Sequence, residues 1–287
     1  MLNGVILLWY ILTGPAVVFV AIDIQSSPVS PVMRWGFVLF TAYTGPIGAF
    51  LYVLGCREPL PATHAEYVRA RWRQVLGSTM HCVAGDGVGI LAGAVIGSVM
   101  SLDRPLEVAL EYGLGFVFGW TIFQSLFMRG MGGGSYWMAL KRTFIPEFLS
   151  MNLVMTGMIL VASLFWAAAG GKQGPLTPTF WFVMSMALLA GFVAAYPINW
   201  WLVAKGLKHG MSTADEHAPD NGAGKTAMSH SAPTAHPSAS MREIVLMAAL
   251  SIIAFGLAYA VVGVIRANTE MRPITSIGQP GISAPHG

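Results

Sequence analysis

The residues best suited to chemistry sit where MHCVAGDGVG places Met80, His81, Cys82 and Asp86 within little more than one helical turn. A thiol beside an imidazole is a ligand set for a soft or borderline metal. On a helix, a carboxylate one turn away can orient the imidazole or share the ligand sphere of Cys82. The structural alternative is a His81 that caps the bundle near the headgroups and a Cys82 that packs as a small hydrophobe. A second set lies in PEFLSMNLVMTGM. There the spacings of four, four and three put Glu147, Met151, Met155 and Met158 on one stripe of a helix. A carboxylate followed by thioethers suits the passage of a soft cation such as Cu(I), although methionine also fills cores without binding anything. Glu147 follows Pro146 and reads as a first-turn acid facing its helix dipole.

The elements that must hold these groups are apolar. Of 287 residues 55% are hydrophobic and 10% charged, where a water-soluble domain carries about a quarter charged. Seven runs, approximately 2–22, 33–55, 79–101, 105–128, 144–169, 179–204 and 244–265, reach membrane-spanning length. They lack the alternation of a barrel, so the expected fold is an all-α, polytopic transmembrane bundle of about seven helices. The first run has no basic region before it and contains Trp9 and Pro15, so it reads as a helix and not as a cleaved signal.

Lysine and arginine fall unevenly among the loops. Arg57, Arg69, Arg71, Arg73, Arg129, Lys141, Arg142, Lys205, Lys208, Lys225 and Arg242 group on one side, against Arg34, Arg104, Lys172, Arg266 and Arg272 on the other. The positive-inside rule then predicts a multi-pass protein of the inner membrane with a cytoplasmic N-terminus. Both cysteines fall near cytoplasmic ends, where no disulfide is expected. A net charge of +3 gives no reason to expect nucleic acid.

Alternation of helix direction puts His81, Cys82, Asp86, Gln124, Met128, Glu147, Met151, Asn199, His209 and Met211 in one depth band on the cytoplasmic side. On the opposite side, Glu107 and Glu111 form either an outer cation entry or a solvated rim. Gly85, Gly89, Gly93 and Gly97 recur every fourth residue, which lets a neighbour approach closely and makes the third helix the expected centre of the bundle. The expected organisation is two N-terminal helices in 1–56, an amphipathic connector in 57–78 and a four-helix core in 79–211. A disordered loop in 212–243, a seventh helix in 244–266 and a flexible tail in 267–287 complete it.

The stretches MHCVAGDGVG, EYGLGFVFGWTIFQ, FIPEFLSMN and YPINWWLVAKGLKHGM together resemble an uncharacterised family of prokaryotic membrane proteins, domain of unknown function 4396, over approximately 78–211. The resemblance implies a helical membrane domain. Some relatives carry His- and Met-rich loops suggestive of copper handling, of which His217, Met228, His230 and His236 form a dilute version.

The leading expectation is a membrane protein that binds a soft or transition metal, copper first, and moves it or delivers it to a partner. His81, Cys82, Met151 and Met155 are the candidate ligands. Asp86, Glu147, Gln124, Asn199, His209, Met211 and Glu111 are supporting or pathway residues. A non-catalytic structural or assembly subunit of a larger membrane complex is the alternative. An enzyme with Cys82 as nucleophile and His81 as base ranks last, because adjacent helical residues point about 100° apart. No phosphate-binding loop is present, so no nucleotide is expected, and histidines near helix ends argue against haem.

Overall fold

The structure, a computed structural model, describes residues 2–60, 63–132, 135–208, 210 and 239–270. Seven helices are long and apolar enough to cross a membrane, and no strand occurs among the described residues. The elements are α1 (Leu2–Asp23), α2 (Pro31–Gly55), the short α3 (His64–Val68), α4 (Arg71–Val99), α5 (Arg104–Phe118), α6 (Ser125–Gly132), α7 (Tyr136–Ala168), α8 (Pro178–Ala204) and α9 (Met241–Glu270). A π-helical segment, Gly119–Gln124, joins α5 to α6 without interrupting the span. Helix starts are written locally. Ser30, Asp103 and Thr177 each accept a hydrogen bond from a backbone N–H three residues on, and a proline occupies the first or second position of each helix.

One of these apolar stretches folds back on itself. At Gly45 the backbone adopts φ 60°, ψ −140°, and the arms 31–44 and 46–55 of α2 fold back on each other. The rings of Phe37 and Tyr52 are 5.4 Å apart, where a straight helix would set residues so spaced about 22 Å apart. A β-carbon on Gly48 would lie 2.8 Å from the Cα of Thr41. Only glycine serves at position 45, both for its positive φ and because a β-carbon would meet Thr13 Oγ1 at 2.6 Å. Both ends of α2 therefore sit at the end of α1, where the Tyr52 hydroxyl and the Arg57 guanidinium donate to Asp23 at 2.8 and 3.0 Å. The start of α1 lies at the far face, where the Tyr10 hydroxyl donates to Pro178 O at the head of α8.

With both ends of α2 at one face, the start of α1 and the end of α9 lie on the same face of the bundle, whereas seven end-to-end helices would separate them. Arg34, at the start of α2, lies on the face that holds the larger basic group.

The expected centre is where the glycines put it. The most apolar windows of α4 and α7 are each 61% buried, against 11% for α1 and α9. A β-carbon on Gly89 would lie 2.1 Å from Leu114 O, and one on Gly93 2.8 Å from Glu111 Cα, so α5 lies backbone to backbone on α4. Gly157 and Gly191 do the same for α7 and α8, meeting Ala190 O and Val154 O at 2.5 and 2.9 Å. The connector is more ordered than a surface helix. Only His64–Val68 is separate, and α4 begins already at Arg71, with the Arg73 guanidinium stacked 3.7 Å over the Tyr67 ring.

The topology is tested with epitopes placed before α1 and after α9 in sealed vesicles. Protease should remove both from the same face, and removal from opposite faces would show that α2 crosses.

Candidate metal centre

Cys82 lies in the fourth turn of α4 and Asp86 one turn further on, near the middle of that helix. Both face α7, which supplies Glu147 and, one turn later, Ser150. The Cys82 Sγ is 3.6 Å from Asp86 Oδ2, 3.5 Å from Glu147 Oε2 and 3.2 Å from Ser150 Oγ. One donor atom from each of Cys82, Asp86 and Glu147 lies within 4.8 Å of the others, and all three residues are buried. The Asp86 and Glu147 carboxyls are in hydrogen-bond contact. Asp86 Oδ1 and Glu147 Oε1 are buried, with no N–H or O–H donor bonded to them among the described residues. Both aim at the π-helical segment, where a β-carbon on Gly119 would come within 2.0 and 2.2 Å of them. Glycine here is the space into which two carboxylates fit. Single π turns inside α-helices recur at functional sites for this kind of local re-aiming.

A buried cation stands behind the acids. Lys208 Nζ donates to Asn199 Oδ1 at 2.7 Å, and Asn199 Nδ2 donates to Ser150 Oγ at 3.0 Å. Lys208 also reaches hydrogen-bond contact with Cys82, and only 5% of it is exposed. Gly206 brings it there. At φ +67° this glycine ends α8 in a left-handed turn, with Leu207 N–H bonded to Leu202 O at 2.9 Å, and the chain doubles back under the helix. Read along the sequence, Lys208 is one more loop charge that marks orientation. The signal that it turns inward is the glycine just past the helix end.

The other expected ligands part company with Cys82. The His81 Nε2 lies 3.3 Å from Phe123 O, its ring sits 5.4 and 5.0 Å from those of Phe123 and Phe127, and Nδ1 faces Gly36 of the hairpin. The imidazole thus points into the α2 side of α4, a consequence of the 100° step between neighbours. The Met151 methyl packs over Gly115 beside the Asp86 backbone, and Met155 is buried in the apolar core. Glu147 is interior to α7, which starts at Tyr136. A dipole-facing first-turn role does not apply. Gln124 is buried with Nε2 unpaired and borders a narrow void beside Lys208. Glu111 is in the opposite half of the bundle. His209 and Met211 lie outside the described residues.

The donor set fits a metal ion. With metal–sulfur near ~2.3 Å and metal–oxygen near ~2.1 Å, the edge of a tetrahedral site is about 3.6 Å, the separation that Cys82 keeps from both carboxylates. One thiol and two carboxylates suit a borderline divalent ion such as zinc better than Cu(I), which favours sulfur and nitrogen. Charge agrees. A thiolate and two carboxylates against one lysine leave two charges, the number such an ion carries.

Residues 71–208, close to half of the chain, match a family described as domain of unknown function DUF4396. The match takes in Cys82, Asp86, Gly119, Glu147, Asn199 and Lys208, and ends on the lysine. No curated protein and no solved structure matches the chain.

Gly119→Ala tests the packing of the centre. The added methyl must displace both carboxylates, and overpacking of this kind costs about 1–3 kcal/mol. Thermal unfolding of the detergent-purified variant should begin several degrees lower than in the parent, whereas Gly113→Ala, in open space, should leave it unchanged.

Proposed function

We propose, since the DUF4396 match brings no activity with it, that the chain binds a divalent transition metal at Cys82, Asp86 and Glu147 and passes it across or within the membrane. The observation that carries this reading is the convergence of three buried donors, one atom each from Cys82, Asp86 and Glu147, within 4.8 Å of one another. In a bilayer interior such groups are costly unless a partner or a function retains them. Cys82 would supply the thiolate, Asp86 and Glu147 the oxygens. Ser150 and Asn199 would fix the Cys82 sulfur and relay the Lys208 charge. Burial near the middle of the central helix suits a carrier, because an ion held there is screened from both faces. Copper stays among the ions to be tried. The Cys82 thiol favours it, and the two carboxylates favour zinc.

Elemental mass spectrometry of detergent-purified protein after loading with Zn(II), Co(II) or Cu(I) tests the reading. About one equivalent of one metal per chain is expected, lost in Cys82→Ser and in Glu147→Gln and kept in His81→Ala. Asn199→Ala should bind roughly 10–100-fold more weakly, the usual effect of removing a group that orients a ligand. Metal-free parent protein under all three loadings, or binding lost in His81→Ala alone, would overturn the assignment.

A further inference from the structure

The half of the bundle away from Lys208 contains a chamber of about 600 Å³, bordered by Leu102, Trp166, Gly170, Lys172 and Ile265, with Glu107 as its charged floor. Lys172 pairs with Glu107, and Arg104 Nη1 stands 3.8 Å from the same carboxylate. Beneath this closure a small void continues inward, bordered by Glu107, Glu111, Met158 and Met184. Glu111 is 7% exposed, borders this void, and has the Arg104 guanidinium as its charged neighbour. A buried carboxyl facing a void at this depth needs a reason beyond packing.

Two stripes connect that void to the metal centre. On α5, Glu107, Glu111, Gly115 and Gly119 recur every fourth residue, and Gly119 touches Asp86 and Glu147. On α7, Met158, Met155, Met151 and Glu147 run the same way, from the void beside Glu111 to the centre, with the Met151 methyl over Gly115. Glu111 and Gly119 are about 12 Å apart along the helix. Thioether side chains are flexible enough to swing aside. Towards the other face a narrow void borders Gln124, Met128 and Lys208.

We infer that the divalent cation reaches Cys82 from the Leu102 face, through the chamber, with Glu111 as an intermediate cation site under a Glu107–Lys172 gate. The inference rests on the metal-binding reading for the identity of the cargo, but the route is testable without a metal. Asp103, Arg104 and Glu107 are the charged groups that share the chamber with Lys172. Burial, and then the Arg104 charge, lower the Lys172 ammonium to about 8. Above that value the mouth of the chamber loses a positive charge, and of the two cations beside Glu107 the Arg104 guanidinium keeps its charge.

The experiment is Cys82 labelling in oriented vesicles, in a Cys56→Ser background, by 2-(trimethylammonium)ethyl methanethiosulfonate (permanently cationic) and methyl methanethiosulfonate (neutral). The cationic reagent should react from the Leu102 face only. Glu111→Gln should slow the cationic reagent about tenfold while leaving the neutral one near the parental rate, as loss of one charge on the path requires. Because the neutral reagent is read on the same protein, a misfolded variant is recognised, and Glu111→Asp should restore the cationic rate. The cationic-to-neutral ratio should rise as pH passes about 8 in the parent and stay constant in Lys172→Met. Cationic labelling from the Lys208 face, equal slowing of both reagents, or no labelling of Cys82 would overturn the route. Charge-selective labelling in a protein that binds no metal would sink the metal reading and leave the route standing. Metal binding lost in Cys82→Ser, without charge selectivity at Glu111, would do the reverse.

Discussion

Inside a bilayer no water is available to a polar group, so each carboxyl and each amide must find its partner within the bundle. Cys82, Asp86 and Glu147 bring this constraint to the middle of the molecule. Around them the structure supplies a hydroxyl from Ser150, an amide from Asn199 and an ammonium from Lys208. Two carboxylate oxygens receive no N–H or O–H donor among the described residues. A site built only for stability would have closed on those atoms. Apolar residues of similar volume would have packed there at lower cost.

Close helix approach makes this concentration of polar groups feasible. The α4 glycines let the α5 backbone come near, and Gly119 opens the volume that the carboxylates occupy. The π segment, Gly119–Gln124, shifts the register just there, so that α5 presents Glu107 and Glu111 above the site and α6 presents Met128 below it. The α7–α8 pair repeats the device through Gly157 and Gly191, which fixes Glu147 and Asn199 relative to each other. Packing in lipid gains little from burying apolar surface. Small residues that admit backbone contact therefore do much of the holding.

The re-entrant α2 follows the same rule. Non-helical backbone at membrane depth survives only when protein covers it, and the turn at Gly45 is enclosed by Trp9 and Thr13 of α1. In return the hairpin fills one side of α4. Gly36 meets His81 and Tyr43 meets Gly87, which explains why the imidazole is enclosed by apolar and aromatic groups.

Much of this was legible in the residues themselves. Length and hydropathy of the runs determined a helical membrane bundle, because only a helix satisfies its own backbone in lipid. The four-residue glycine period determined that α4 is central. The i,i+4 spacing of Cys82 and Asp86 placed them on one face, and Glu147 headed the stripe of Met151, Met155 and Met158. What periodicity could not determine was anything set by contacts between distant segments. A single backbone conformation at Gly45 turns one apparent crossing into two arms and brings both ends of the bundle to one face, yet hydropathy is the same for either path. The direction of His81 depends on where Phe123 and the hairpin lie. Lys208 becomes part of the centre only because the turn at Gly206 sends it back under α8. Local spacing determines which side chains share a face of a helix, and only the packed bundle decides what that face meets.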